Sequence, residues 1–276
     1  MVRVGRRALA LAMVCFLVSV RFSAGGAAAS SPLWSGVAWS DRQIFRSGLV
    51  ESAQAALDEL PGATVYRIDV EISADLTTLV GHETVLYTNR ESCPLGEVYL
   101  RLYPNAAGGR AEVSWLTVDG LDVVGFYEQE GLDLRVPLSS PLSPGTAVEI
   151  GMDFVVTVPR GSAERYGLFA LSDGVLSLDE AFPSIPVYGD AGWQLSPVLP
   201  FGDVAVYDAS FYIVRASAPL GVALVGTGVE VARDDDGLRQ IRTFAAGPAR
   251  TFYLAAVDGL ITVEKVVGET TIRSTA

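Results

Sequence analysis

The sequence predicts a mainly β protein, an antiparallel sandwich or large curved sheet that follows a short helical lead. Apolar and polar residues alternate with a period of two at 66–72 and at 148–158, so that one face of each strand is buried and the other is wet. Turn-forming pairs, such as Asp119 with Gly120 and Asp236 with Gly237, separate about ten runs of this kind. No helical pattern of comparable strength follows Leu60.

Residues 1–29 have the composition of a secretory signal peptide. Arg3, Arg6 and Arg7 precede a short apolar run at 8–20, and small residues that fit an A-x-A cleavage site follow at 27–29. The apolar run is shorter than the roughly 20 residues that cross a bilayer. We therefore expect an exported protein, extracellular or at the cell surface. The alternative is an uncleaved N-terminal anchor, and only in that case do we expect contact with a membrane.

Residues 30–62 form the predicted helical lead and linker. Apolar residues recur between 40 and 60 with the 3.6-residue period of a helix. Ser40 or Asp41 suits its N-cap, and Pro61 with Gly62 ends it. Gly48 is a candidate break between two short helices.

Residues 63–260 form the predicted β body, and the stretch 160–203 within it differs from the rest. It is rich in glycine, proline and aromatic residues and shows little periodicity. A long stretch without a period inside a compact domain is usually functional or interfacial. The alternative is a structured loop that covers one sheet face.

Charge and composition exclude several functional classes. The 276 residues carry a formal net charge of -12, which argues against a nucleic-acid partner because such binding needs clustered positive charge. Lys265 is the only lysine, and it does not belong to a P-loop motif. His82 is the only histidine, so this chain alone cannot supply a two-histidine metal site.

The remaining motifs give little support for a catalytic or metal-binding site within this chain. His82 begins an H-E-x-x-H string, but Leu86 stands at the second histidine position, and the surrounding residues predict a strand with His82 on its outer face. Cys93 lies in a polar turn, which favours a loop thiol over a nucleophile. The acidic run at 234–236 favours a hairpin tip over a calcium site. Glycoside hydrolysis by two carboxylates is neither supported nor excluded.

A set of short strings resembles the N-terminal β-domain of aminopeptidase N-type zinc metallopeptidases, the gluzincins of peptidase family M1. The strings are YRIDV at 66–70, GHE at 81–83, YTN at 87–89, LRLYPN at 100–105, Phe182 with Pro183, Gly192 with Trp193, FGD at 201–203 and FYIV at 211–214. They occur in the order expected for a bacterial member, and the resemblance runs from about residue 41 to 263.

The resemblance implies a saddle-shaped, mostly antiparallel domain that packs on a following thermolysin-like catalytic domain. In the family, that second domain carries H-E-x-x-H and a downstream glutamate, which bind zinc. These residues have no counterpart here, so we expect no catalytic residue, metal ligand or cofactor in this chain, and zinc only in a missing catalytic domain. Residues 261–276 are then expected to be the truncated start of that domain, and we expect the chain to be inactive by itself.

The resemblance also implies a contact with substrate. Family members lend one acidic or amide side chain, from a loop before a Phe-Pro pair, to the free amine of the peptide. The matching positions are Asp179 and Glu180; the alternative is that both are solvated loop charges. We expect the interdomain face at 160–203, with Trp193, Phe201 and Asp203, and at the C-terminal edge, where an isolated domain should expose an apolar patch.

Two functions from different classes remain open. The first is the non-catalytic N-terminal domain, or a fragment, of an exported zinc metallo-aminopeptidase-like protein, whose partners are a catalytic domain and a peptide substrate. The second is a stand-alone extracellular β-sandwich that binds carbohydrate or protein. A flat platform of exposed Trp115 and Trp193 would favour the second function.

Overall fold

The computed structural model describes residues 37–161, 165–199, 206–258, 262–268 and 270–275. The described residues from Trp39 onward belong to one compact unit. The predicted signal peptide at 1–29 lies outside the described residues. None of the helices in the described part of the chain is long and apolar enough to cross a membrane.

Strands dominate the described residues, as the sequence predicts. In chain order they are β1 (Val65–Ile72), β2 (Thr78–Thr88), β3 (Leu95–Arg101), β4 (Arg110–Val118), β5 (Leu121–Asp122), β6 (Phe126–Glu128), β7 (Asp133–Leu142), β8 (Ala147–Thr157), β9 (Phe169–Ser172), β10 (Val175–Leu178), β11 (Tyr188–Gly189), β12 (Gly192–Trp193), β13 (Ser210–Pro219), β14 (Val222–Gly226), β15 (Val229–Asp235), β16 (Arg239–Ala249), β17 (Leu254–Asp258), β18 (Thr262–Val267) and β19 (Thr270–Thr275). The described helices are short and of 3₁₀ type: Gln43–Gly48, Glu51–Leu57, Tyr103–Ala106, Gln129–Gly131 and Arg165–Gly167.

The helical lead is present as two 3₁₀ helices, Gln43–Gly48 and Glu51–Leu57, rather than as one α-helix. The break follows Gly48, as predicted, because Leu49 and Val50 both have extended backbone. Neither segment is long enough to stabilise an α-helix by itself, and 3₁₀ geometry is common in short pieces. The first helix is held by its side chains: the ring of buried Phe45 lies 4.9 Å from the ring of Phe211 on β13.

The largest sheet has eight strands in the order β15-β16-β13-β1-β2-β8-β4-β5. Its neighbours are antiparallel except β1 and β13, which run parallel with Tyr66 opposite Tyr212. At its centre, β2 and β8 pair over their whole length, from Thr78 opposite Thr157 to Thr88 opposite Ala147. The predicted mainly β, antiparallel fold is therefore confirmed, with one parallel pair that local patterns do not reveal.

The core lies between the inner face of this large sheet and two smaller sheets. These are a four-stranded sheet in the order β14-β17-β10-β9 and a three-stranded sheet in the order β3-β7-β6. The alternation predicted at 66–72 holds, because Tyr66, Ile68, Val70 and Ile72 are all buried in the one main core. The stretch before β11 contributes Phe182, whose ring lies 6.1 Å from the ring of Phe154 on β8.

The last described element is a hairpin of β18 and β19, which pair with each other. Val263, Val267 and Ile272 share one of its faces and are all exposed. The division of the chain predicted at residues 260 and 261 stays a prediction.

Candidate functional site

Glu180 borders a recess on the inner side of the large sheet. We name it the Glu180 recess; its lining consists of Tyr66 and Ile68 of β1, Glu180, residues 182–184, Tyr207, Tyr212 of β13, and residues 251–252. Its volume is about 20 Å³. Four separate stretches of sequence meet here, at 66–68, 180–184, 207–212 and 251–252. The parallel pairing of β1 with β13 brings Tyr66 beside Tyr212.

The turn that carries Glu180 has an unusual backbone. Glu180 has φ of 53°, in the left-handed region that non-glycine residues seldom occupy. Such strain persists only where the surroundings impose it, and it is common at functional sites. The side chain is half-buried and belongs to the recess lining, whereas Asp179 does not. The backbone N–H of Asp179 donates to the carbonyl of Leu168 at 2.9 Å. Of the two acids predicted to bind an amine, only Glu180 faces the recess.

Tyr207 is the partner that fixes Glu180. Its hydroxyl donates to Oε2 of Glu180 at 2.6 Å. Burial and the negative charge of Glu180 raise the pKa of Tyr207 well above its usual value, so the phenol keeps its proton and donates a hydrogen bond to the carboxylate. Arg250 in turn donates from Nη1 to the carbonyl of Tyr207 at 2.7 Å, and Tyr212 donates to the carbonyl of Arg250 at 3.0 Å. This chain of bonds anchors the connector before β13.

Tyr66 and Tyr212 form a rigid wall of the recess. Their rings are stacked at 4.8 Å with an interplanar angle of 5°. The hydroxyl of Tyr66 accepts a hydrogen bond from the backbone N–H of Ile185 at 3.1 Å. Burial raises the pKa of both tyrosines, and the negative charge of Glu180 adds to that effect. The phenols are therefore neutral at physiological pH, and the recess has an aromatic wall beside a carboxylate.

A buried ion pair lies near the recess, because the backbone of Arg101 pairs with that of Ser184. Nη1 of Arg101 is 2.8 Å from Oδ1 of Asp133, and both side chains are almost wholly buried. Burial raises the pKa of Asp133, and the positive charge of Arg101 partly offsets this effect. Arg101 also donates from Nη2 to the carbonyl of Ser196 at 2.8 Å and lies 5.2 Å from the ring of Tyr103, which packs on Tyr207.

Trp193 belongs to an aromatic cluster. Its ring lies 5.8 Å from Tyr87, 6.1 Å from Tyr99 and 5.2 Å from Tyr188, and it is only partly exposed. Because Tyr87 points to the core side of the large sheet, Trp193 packs on that side. Phe201 and Asp203 lie outside the described residues.

Trp115 lies on the opposite face of the large sheet. The side chain of Trp115 is 42% exposed. Trp115 on β4 pairs with Asp153 on β8, which also pairs with His82 on β2, and all three residues lie on the outer face. The two tryptophans therefore do not form one flat platform, and this arrangement does not favour the stand-alone binding module.

His82 occupies the outer face that the sequence predicts. Its Nδ1 is 2.7 Å from Oδ1 of Asp153, and its ring lies 5.9 Å from that of Trp115. No group of three or more histidine, cysteine, aspartate or glutamate side chains within the described ranges is arranged to hold a metal ion. The residues of these ranges thus do not fit a zinc site of the two-histidine kind.

The other motifs have structural explanations. The acidic run at 234–236 ends β15 and enters the turn before β16. In that turn, Oδ1 of Asp236 accepts from the N–H groups of Leu238 and Arg239 at 2.9 and 2.7 Å. These backbone bonds lower the pKa of Asp236. The exposed thiol of Cys93 is 3.8 Å from the hydroxyl of Tyr188.

Sequence reasoning missed Ser184, Tyr207 and the Arg101–Asp133 pair. Only Arg101 carries a local signal, as an arginine within the apolar run at 98–103. Tyr207 and Ser184 are ordinary polar residues near glycine- and proline-rich stretches, and their roles follow from contacts between distant segments.

The fold matches solved structures of larger proteins. An M1 zinc metallopeptidase from Deinococcus radiodurans matches over 77% of this chain and 46% of its own, with a TM-score of 0.53 and 19% identity. A point mutant of an M1 zinc metallopeptidase from the same organism, bound to a Tyr-Ser-Ala substrate, matches with a TM-score of 0.52, 19% identity and the same coverage. This chain thus spans less than half the length of these structures. No protein-family profile and no curated protein sequence matches it. At this identity the likeness confirms the predicted fold.

Proposed function

We propose that this chain, which shares its fold with M1 zinc metallopeptidase structures, is the non-catalytic N-terminal β-domain of an exported zinc metallo-aminopeptidase-like protein. In this role it packs on a catalytic domain and helps to bind the N-terminus of a peptide. The observation that carries the role is the placement of Glu180, which precedes Phe182 and Pro183, borders a recess and is oriented by Tyr207.

The chemistry of the recess suits a positively charged amine. A carboxylate is the complementary partner of a peptide ammonium group, and a hydrogen bond between charged groups is stronger than one between neutral groups. The aromatic walls add favourable cation–π attraction. The hydroxyl of Tyr207 holds the carboxylate of Glu180 in one orientation, so less side-chain entropy is lost when an amine binds.

The proposed partner is a catalytic domain, in the same chain if the reading frame continues. Large apolar side chains in and beside the predicted interdomain stretch are exposed: Tyr166, Leu168, Val175, Leu199 and Val206. The hairpin of β18 and β19 exposes Val263, Val267 and Ile272 on a face that also carries Lys265. A two-stranded hairpin is marginal without support. Exposed apolar groups of this kind are typical of interaction surfaces. Zinc and the general base belong to that partner in this proposal, and export rests on the composition of residues 1–29.

Binding of a tripeptide to the purified chain tests the proposal. The probes are Tyr-Ser-Ala with a free amine and its N-acetylated form, and the readout is the dissociation constant from backbone amide NMR shifts. We expect tighter binding of the free amine, and a loss of about tenfold or more in Glu180→Gln, because one hydrogen bond between charged groups is removed. Asp179→Asn is the matched control and should bind like the parent. Equal affinity for both tripeptides would contradict the proposal.

A further inference from the structure

The outer face of the large sheet is covered at one end and open at the other. At β13 the helical lead covers it, because Phe45 of the lead packs on Phe211 and neither side chain is more than 1% exposed. At the centre of the sheet, Val80 on β2 pairs directly with Val155 on β8, and both side chains are exposed on this face. An open face of an antiparallel sheet normally carries polar residues, so exposed apolar side chains here are typical of an interaction surface.

Trp115 on β4 continues this apolar surface. Its indole Nε1 donates to Oδ1 of Asp122 at 2.9 Å, and its ring lies 5.9 Å from that of His82. The ring reaches across to Gly151 on β8, where its Cζ3 would lie 3.9 Å from an added Cβ. The tryptophan is therefore held in one orientation while part of its surface stays open. We name the Trp115 face by its members Val80, Trp115, Asp122, Asp153 and Val155.

Two carboxylates lie beside the ring of Trp115, those of Asp122 and Asp153. Asp153 contacts Nδ1 of His82, but no arginine or lysine in the described part of the chain forms an ion pair with either carboxylate. Arg110 on the same strand as Trp115 pairs with Glu112 instead. An aromatic face and a carboxylate both attract positive charge, so a cationic side chain complements this surface.

The covered end of the same face shows which kind of segment fits it. In the helical lead, the guanidinium group of Arg42 lies 4.1 Å from the centre of the Phe211 ring, on which Phe45 also packs. Arg67 of β1 lies 3.8 Å from the centre of the Trp39 ring in the same way. The contact that covers this end combines an arginine over an aromatic ring with an apolar side chain beside it. The open end offers a similar ring, and no described arginine lies above it.

We infer that the Trp115 face docks a basic segment of a partner protein. An arginine side chain of that segment stacks on Trp115, and the carboxylates of Asp122 and Asp153 balance its charge. An apolar side chain beside the arginine covers Val80 and Val155. This inference does not depend on the proposed function, because the Trp115 face lies on the opposite side of the sheet from the recess.

A matched pair of peptides tests the docking. The first is Arg-Gln-Ile-Phe-Arg, the sequence of residues 42–46, with an acetylated N-terminus and an amidated C-terminus. The second has citrulline at both arginine positions, which keeps the shape and removes the charge. Neither peptide has a free amine for the recess. The readout is the dissociation constant from backbone amide NMR shifts of the whole chain.

We expect the arginine peptide to bind about fivefold more tightly than the citrulline peptide, because it gains cation–π attraction and ion pairing. The shifted signals should cluster at β2, β4 and β8. Added salt should reduce the difference between the two peptides, because the charges on this face are exposed and are screened by ions.

Variants separate the charge of the face from its packing. Asp122→Asn and Asp153→Asn each keep an oxygen that accepts a hydrogen bond but lose the charge, so each should weaken the arginine peptide about twofold to fivefold and leave the citrulline peptide unchanged. Trp115→Ala should weaken both peptides, and thermal unfolding checks that the sheet remains folded. Asp173→Asn is the matched control, because it removes the same charge from an exposed turn between β9 and β10. It should bind like the parent.

Three results would overturn the inference. The first is equal affinity of the parent for both peptides, and the second is an equal loss of affinity in Asp173→Asn and Asp122→Asn. The third is a dimer of the parent in sedimentation that Trp115→Ala dissociates, which would assign this face to a second copy of the chain. Glu180→Gln should bind both peptides like the parent, so the proposed function and this inference can fail independently.

Discussion

The hydroxyl of Tyr207 lies 2.6 Å from Oε2 of Glu180 and joins the connector before β13 to the turn before Phe182. Tyr207 is held through Arg250, and the surrounding structure imposes a left-handed backbone on Glu180. The carboxylate is therefore oriented by the tertiary structure.

Tyr207→Phe should loosen this carboxylate. The change removes a hydrogen bond to a charged group, so we expect the free energy of unfolding to fall by about 1–2 kcal/mol and the affinity for a free-amine tripeptide to fall several-fold. Urea unfolding and NMR titration measure the two effects. Tyr253→Phe is the control, because it removes the 2.8 Å contact with Ser177, which lies outside the recess. It should lower stability without changing affinity; an equal loss of affinity in both variants would contradict a specific role for Tyr207.

Glu83 should make stability depend on pH. It is fully buried on β2, both of its oxygens lack hydrogen-bond partners among the described residues, and burial raises its pKa well above 4.5. The stability associated with the protonated form is fully present below the unfolded-state pKa and is lost as pH rises through the higher folded-state pKa. Glu83→Gln stays neutral, so its advantage over the parent should grow with pH above 4.5.

Urea unfolding of both proteins at pH 4.5 to 9 measures this difference. The control is Glu112→Gln, which makes the same chemical change at an exposed position and should run parallel to the parent. A constant difference between Glu83→Gln and the parent across this range would show that Glu83 has an ordinary pKa.

Removing one partner of the Arg101–Asp133 pair should destabilise the fold strongly, whereas replacing both partners by apolar residues should change its stability little. Arg101→Met leaves a buried carboxylate without its cation, and we expect a loss of about 3–5 kcal/mol in the free energy of unfolding. The double variant Arg101→Met with Asp133→Leu removes both charges and should recover most of that loss. A double-mutant cycle by urea unfolding measures the coupling, and additive losses would argue against a direct interaction.

Gly81→Ala should destabilise the centre of the large sheet. A Cβ at this position would lie 2.3 Å from the ring of Phe154, which packs over the glycine. Overpacking of a core costs about 1–3 kcal/mol, and thermal unfolding should show a lower melting temperature. Gly96→Ala is the matched control, because a Cβ there would have no heavy atom within 4 Å. If both variants melted alike, the ring would not be a rigid neighbour.

The elements that the sequence predicts well are those with a local cause. Alternation at 66–72 and 148–158 becomes β1 and β8, since a strand that is buried on one face needs that period. The lead breaks after Gly48 for a local reason too. The type of helix in the lead does not have a local cause. The sequence predicts only a helical period, whereas the structure has two short 3₁₀ helices, the first of which packs Phe45 on Phe211.

Tertiary structure alone decided the site. The sequence by itself determined the β class and the strand faces, because both follow from the local period of apolar residues. The order of its short motifs gave two candidate acids, Asp179 and Glu180. It did not determine the parallel pairing of β1 with β13, the choice of Glu180 over Asp179 as the recess-facing acid, or the bond from Tyr207 to Glu180. Each of these depends on contacts between segments far apart in sequence, and such contacts form only when the whole core packs.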